Sequence, residues 1–330
     1  MTFISVKNLS KDYKVFKSEG NTFLNLFKKR DYTVVHAVKN LSFDVKKGDI
    51  IGYIGPNGAG KSTTIKLLAG ILYPDNGECI IDENSPWVDR KKYVKDIGVM
   101  FGQRSQLTWD LPVKDSYDLL RDIYNLTEED YTRTLAKLVK KLNLEELLHI
   151  PVRQLSLGQK VRCELVATFL HEPKLVFLDE PTIGIDIEMK REFQKFVKEI
   201  NQELGTTIFI TTHDLDDIKS LCNRLLIINK GEIFFNGTLE ELFTEFYIEE
   251  KIFVELLEGT AYHLPDNVKI IEEEGSRLVV SVSEKGMTGK IIKEIVQNNA
   301  VVNIYPEQNK IEDIILDIYA QMKIPRKGQL

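Results

Sequence analysis

No stretch constrains this chain more than GPNGAGKST at 55–63. Gly55 and the run Gly60-Lys61-Ser62 stand at the spacing G-x-x-x-x-G-K-[ST] of a phosphate-binding loop, or P-loop. Gly55, Gly58 and Gly60 have no Cβ, so the backbone is free to take the positive φ values that wrap successive N–H groups around an anion. Lys61 then sets a point charge on the β and γ phosphates of a nucleotide, and the Ser62 hydroxyl is offered to Mg²⁺. Pro56, Asn57, Ala59 and Thr63 complete the loop. Residues 49–55 before it are an apolar run fit for a buried parallel strand, and residues 63–69 after it have helical spacing closed by Gly70. The loop therefore leads into a helix N-terminus, where the macrodipole favours negative charge. A surface glycine turn would account for neither the strand nor the helix. No G-x-G-x-x-G follows the strand, which argues against a dinucleotide site.

At 330 residues there is room for a full α/β domain and a smaller one. The net charge of −6 argues against affinity built on neutralising phosphates along a strand, so no nucleic-acid partner is expected. Cys79, Cys163 and Cys222 are odd in number, far apart and in no metal-like spacing, and read as reduced, buried thiols of a cytosolic protein. The first residues lack the build of a signal peptide, and no apolar run approaches the ~20 residues that span a bilayer.

In chain order, residues 3–9 alternate as a half-exposed strand does, and Tyr13 follows as a candidate to stack on a base. Between 18 and 32 lies an insert in which Phe23, Leu24, Leu26 and Phe27 can share one face of a short helix ending in Lys28-Lys29-Arg30. That suits a membrane interface or a partner's groove as well as it suits packing on the parent domain. Residues 34–45 read as two strand pieces, and 77–82 and 96–101 as further strands, the last ending at Gln103. From Leu107 to about 165 the texture is helical, with Ser156 a plausible N-cap for a helix reaching Leu170. Ser156 and the Gly158 backbone at that helix start are a second potential phosphate site.

Residues 175–178 then read as a buried strand, with Asp179 and Glu180 at its carboxyl end, where open α/β sheets bind ligands. Asp179 suits the shell of Mg²⁺, a hard cation, and Glu180 is placed to orient and deprotonate an attacking water. The strand at 206–211 ends at His213, and residues 225–228 and 233–235 form a closing hairpin before a short helix from Leu239.

Taken together, Tyr13, GPNGAGKST at 55–63, Gln103, LSLGQ at 155–159, LVFLDEP at 175–181, Asp186 and His213 resemble the motif set of an ABC transporter ATP-binding subunit, over roughly residues 1–242. The resemblance implies an α/β P-loop NTPase of ABC ATPase type, a mixed sheet core plus a helical subdomain at about 104–165, hydrolysing ATP with Mg²⁺. It makes residues 55–63 the Walker A loop, Gln103 the Q-loop ligand of Mg²⁺ with Gln106 the lesser candidate for that role, and Ser156, Gly158 and Gln159 the signature. Asp179 becomes the Walker B aspartate, Glu180 the catalytic base, Asp186 part of the D-loop and His213 the switch histidine on the γ-phosphate. Tyr13, or Phe16 in its place, would stack on adenine. The signature of one copy completes the ATP site of another, so a dimer is implied. The signature departs from the usual LSGGQ at Leu157, and Gly102 looks like an added residue.

The segments at 101–112 and 151–159 are similar to a bacterial branch of exporter ATPases paired with separate permease chains of the drug, lipid or polysaccharide type. That similarity implies a peripheral location at the cytoplasmic face of the membrane, through permease subunits that are one chain or two different ones. The alternative, a soluble ABC ATPase of DNA repair or translation, would want a second cassette, a long coiled coil or a basic stripe, and none is present in the sequence. The ATPase domain is expected over 1–245. Residues 246–330 read as a small α+β domain with a regulatory or dimer-stabilising role and no catalytic constellation.

Overall fold

The computed structural model describes residues 2–16, 32–102, 105–246, 250–282, 286–307 and 311–323. Gln103 and the insert at 18–32, apart from Tyr32, lie outside the described residues. Contacts divide the chain into two compact units, Met1–Leu239 and Glu240–Leu330.

The first unit begins with β1 (Thr2–Phe16), β2 (Tyr32–Lys46) and β3 (Ile50–Ile54), followed by α1 (Lys61–Leu68), β4 (Asn76–Ile81), α2 (Arg90–Tyr93) and β5 (Ile97–Phe101). A helical stretch comes next, with α3 (Val113–Tyr124), α4 (Glu128–Lys141) and α5 (Leu157–Phe169). The order then runs β6 (Leu175–Asp179), α6 (Ile187–Leu204), β7 (Thr207–Thr211), α7 (Leu215–Leu221), β8 (Arg224–Asn229) and β9 (Glu232–Gly237), and α8 (Leu239–Glu245) starts at the last residue of this unit and otherwise belongs to the second.

The central sheet has the order β5-β6-β7-β3-β8-β9. Its pairs are parallel except β8 with β9. A parallel sheet is covered on both faces, so every residue of β3 and β7 is buried, and in β7 the apolar run Ile208-Phe209-Ile210 lies between the buried threonines Thr207 and Thr211. Phe209 of β7 lies 5.0 Å from Tyr53, 6.0 Å from Phe177 and 6.3 Å from Phe43, ring centre to ring centre. Burying such a ring contributes roughly 1.5–3 kcal/mol, and aromatic pairs add to it.

The second sheet, β2-β1-β4, is antiparallel. Residues 34–45, which read as two pieces, form one strand. Register shifts between Val6 and Asp12 of β1 absorb the phase changes that break the apolar alternation.

The helical stretch is closed at its neck, where Val113 N donates to Ile150 O at 3.1 Å and Val152 N to Leu111 O at 3.0 Å. Thr127 caps α4, whose first turn holds Glu128, Glu129 and Asp130 and whose last holds Lys140 and Lys141, the charge order the helix dipole favours.

In the second unit, β10 (Glu250–Leu256), β11 (Val268–Glu274), β12 (Arg277–Val282), α9 (Thr288–Asn298), β13 (Val301–Glu307) and α10 (Ile311–Lys323) follow one another. The antiparallel sheet has the order β11-β12-β10-β13. Ile291 and Ile295 of α9 pack with Ile252, Val254, Leu256, Leu278, Val280 and Val282.

Candidate functional site

The loop after β3 and the loops after β6 and β7 meet at the carboxyl ends of three adjacent strands. Gly60 sits at φ 105°, immediately before α1. A Cβ there would stand 2.2 Å from the Ala37 carbonyl oxygen, so β2 closes directly over the loop. At Gly55 a Cβ would meet the Ile228 carbonyl oxygen at 2.3 Å. Both positions therefore require glycine for want of space, and Gly60 for its dihedral as well. Below the loop, the buried Tyr53 hydroxyl donates to Thr64 Oγ1 at 2.9 Å, and Thr64 Oγ1 donates to Gly60 O at 3.1 Å.

Lys61 is buried and folds back over its own loop, with Nζ donating to Gly55 O at 2.6 Å and to Pro56 O at 3.3 Å. Burial pulls its pKa below the ordinary lysine value, while Glu180 and Asp179 act in the opposite direction. An ammonium whose hydrogen bonds among the described residues go to two loop carbonyls fits a polyphosphate: the anion would take over from the carbonyls and repay the desolvation.

Asp179 ends β6, and its Oδ1 accepts from Thr211 Oγ1 at 2.6 Å. The Glu180 amide donates to Thr211 O and to Thr211 Oγ1, both at 3.0 Å. Glu180 is thereby held at φ 54°, a conformation uncommon outside glycine and asparagine. Such a residue persists only when its surroundings over-determine it, and it turns the carboxylate towards His213. His213 Nε2 and Glu180 Oε1 are 3.0 Å apart, with both side chains partly open to solvent. Asp179 and Glu180 line, with Ser62, Lys66, Ile71, Phe101, Gly102 and Ile183, a cleft of about 360 Å³.

The other sequence candidates fall in three places. Ser156, Gly158 and Gln159 line a separate cleft of about 520 Å³ together with Asp186. Ser156 caps α5 and Gln159 returns the bond, a full capping box, with Gln159 N on Ser156 Oγ at 3.3 Å and Ser156 N on Gln159 Oε1 at 2.9 Å. Asp186 caps α6 through Met189 N at 2.8 Å. Tyr13 lies on β1 opposite Val35, two residues from the Ala37 that closes over Gly60. Gln106 is directed away from the nucleotide loop, its Nε2 donating to Val99 O at 3.0 Å and to Thr168 Oγ1 at 2.9 Å. Gly102 lies on the Walker B backbone, its amide donating to Asp179 O at 2.9 Å.

The sequence reading passed over Thr211, which buttresses Asp179 and Glu180, and Thr64, which ties the loop to Tyr53. No local signal marks Thr211, because only the pairing of β6 with β7 brings its hydroxyl onto Asp179.

A family described as ABC transporter matches residues 38–183, which run from β2 through the P-loop, the capping box and the Asp179-Glu180 pair. The linearmycin resistance ATP-binding protein LnrL of Bacillus subtilis (strain 168) is 32% identical over 214 residues, 65% of this chain and 68% of the relative. The energy-coupling factor transporter ATP-binding protein EcfA2 of Clostridium perfringens (strain SM101 / Type A) is 30% identical over 220 residues, 66% of this chain and 77% of the relative. An ATP-binding cassette solved as a dimer in a post-hydrolysis state with ADP and Pi matches with a TM-score of 0.60 at 25% identity, covering 72% of this chain and 98% of that one. The phosphate loop, the signature capping box and the acidic pair all fall within the family match at 38–183, and Thr211 and His213 follow it in the chain. The chain belongs to the ABC transporter ATP-binding proteins and is an ATPase.

Proposed function

We propose that this ATPase powers export of a substrate through separate integral membrane permease chains, one kind or two, working as a dimer at the cytoplasmic face of the membrane. The observation that carries the dimer is the division of the site. Ser62 of the P-loop, Asp179 and Glu180 line one cleft, whereas Ser156, Gly158 and Gln159 line another, with Asp186 in the second. ABC ATPase domains act as dimers with membrane permease partners, and the dimeric cassette among the similar structures supports the same arrangement here. Each copy would then complete its partner's ATP site with its own signature.

In this reading the P-loop N–H groups and Lys61 bind the β and γ phosphates, Tyr13 or Phe16 stacks on adenine, and His213 contacts the γ-phosphate. Glu180 takes a proton from water as its oxygen bonds to the γ-phosphorus, and the bond to the β–γ bridging oxygen breaks to release ADP. Ser62, Asp179 and Gln103 would hold Mg²⁺; Asp179, an oxygen ligand already fixed by Thr211, suits a hard cation. Bound there, the ion supplies positive charge to the phosphate oxygens. Residues 246–330 take a regulatory or dimer-stabilising role.

The part of LnrL in linearmycin resistance supports the export direction, while EcfA2 supports a second reading as an energy-coupling factor subunit. Among the described residues no helix is long and apolar enough to cross a membrane, so the membrane path is assigned to other chains. Affinity purification of the full chain from detergent-solubilised membranes tests the proposal. It should recover polytopic chains; recovery of ribosomes or DNA ends instead would favour a soluble ABC ATPase.

A further inference from the structure

Asp217, in the first turn of α7, is 0% exposed. A carboxylate is expensive to bury unless hydrogen bonds and a counter-charge compensate. Here its partners come from three separate elements. Thr182 Oγ1 donates to Oδ2 at 2.6 Å and Thr212 Oγ1 to the same oxygen at 3.3 Å. From α6, Gln194 Nε2 donates to Oδ1 at 2.7 Å, and Lys190 Nζ stands 3.9 Å away.

These partners bracket the hydrolytic pair. Thr182 is two residues after Glu180, and Thr212 immediately precedes His213. Asp214, on the other side of His213, belongs to the same network, since its amide donates to Thr212 Oγ1 at 2.9 Å and its carboxylate takes Lys190 Nζ at 2.5 Å. Asp216 also faces Lys190, at 3.6 Å. The loop carrying Glu180 and the loop carrying His213 thus hang from one carboxylate, and across them Glu180 Oε1 meets His213 Nε2 at 3.0 Å. The left-handed backbone of Glu180 makes such anchoring necessary, because a residue in that region relaxes when its surroundings loosen.

We infer that Asp217 is a positioning residue for ATP hydrolysis: by gripping Thr182 and Thr212 together it keeps Glu180 and His213 in register with each other. This rests on the roles given above to Glu180 and His213. Among the described residues Asp217 bonds or pairs with Thr182, Thr212, Gln194 and Lys190 and with no P-loop residue, so its loss should act on turnover and leave ATP binding alone.

The test uses the full chain and four variants. Thr182→Val removes one hydroxyl at constant shape, Thr182→Ser restores it, Asp217→Asn removes the charge, and the double variant joins Thr182→Val to Asp217→Asn. Thr182→Val and Asp217→Asn should each lower kcat for ATP by roughly tenfold to a hundredfold, the scale of a small misplacement of reacting groups, with KM unchanged. Thr182→Ser should recover most of the loss, and the double variant should be no slower than the slower single, as for residues acting through one contact. Wild-type kcat in Thr182→Val, or parallel losses of Tm, ATP binding and kcat, would overturn the positioning role. Glu180→Gln, run alongside, separates the two levels. If it leaves turnover intact, the role of Glu180 itself falls; if it abolishes turnover while Thr182→Val stays at wild-type kcat, only the role of Asp217 falls.

Discussion

Thr211→Val isolates the buttress of the acidic pair. Threonine and valine have nearly the same shape, and Thr211 is fully buried, so the change removes a hydroxyl without opening a cavity. Two bonds end on that hydroxyl. It donates to Asp179 Oδ1 at 2.6 Å and accepts the Glu180 amide at 3.0 Å. The amide keeps the Thr211 carbonyl, also at 3.0 Å, so the second loss is small. The first is a bond to a charged acceptor, worth about 1.5–3 kcal/mol. The expected destabilisation is therefore about 2 kcal/mol. Trp87 and Trp109, the only tryptophans in the chain, both lie in the first unit, so their fluorescence in urea follows that unit alone. The midpoint should fall at constant slope, Thr211→Ser should lie close to wild type, and ATP turnover should drop in the valine variant. A valine variant within about 0.5 kcal/mol of wild type, or a serine variant as unstable as the valine one, would refute the buttress.

Two further outcomes follow from the same geometry. Gly60→Ala places a Cβ 2.2 Å from the Ala37 carbonyl oxygen at φ 105°, so titration calorimetry should show ATP binding lost, and retained affinity would show that the loop does not need this shape. Burial pushes the His171 pKa down to about 4 from its ordinary 6.5, with Nε2 on Ile97 O and the ring stacked on Tyr124. The neutral form is the one the fold accepts, so its contribution is complete above about pH 6.5 and is lost as pH falls towards 4, on the order of 3 kcal/mol. His171→Phe keeps the stack, and its stability should fall less steeply than wild type between pH 7 and 4; an identical slope would show that His171 does not set it.

The P-loop, the β6 strand and the capping box could be read directly because each is local: glycine spacing, a run of buried residues, a serine three positions before a glutamine. Strand order could not, since β5-β6-β7-β3-β8-β9 is decided by crossovers between segments far apart in sequence. The strand at Val268–Glu274 escaped notice because it runs along a sheet edge with almost every residue exposed, leaving no alternation to detect. Asp217 escaped for the opposite reason. In the run Asp214-Leu215-Asp216-Asp217 it looks like one more solvated acid of a helix first turn, and only the packing of α6 and the Thr182 turn reveals it as buried. Thr211 likewise reads as an ordinary strand residue until β7 is placed beside β6, which brings its hydroxyl onto Asp179.

Light scattering on Glu180→Gln with ATP and Mg²⁺ tests most directly the claim that two copies close on ATP and that Glu180 then activates water. With the base removed and both binding surfaces intact, the mass should rise to twice the 37.9 kDa of one chain and stay there, with almost no phosphate released. A mass that remains at 37.9 kDa in saturating ATP, or phosphate release at the wild-type rate, would contradict it.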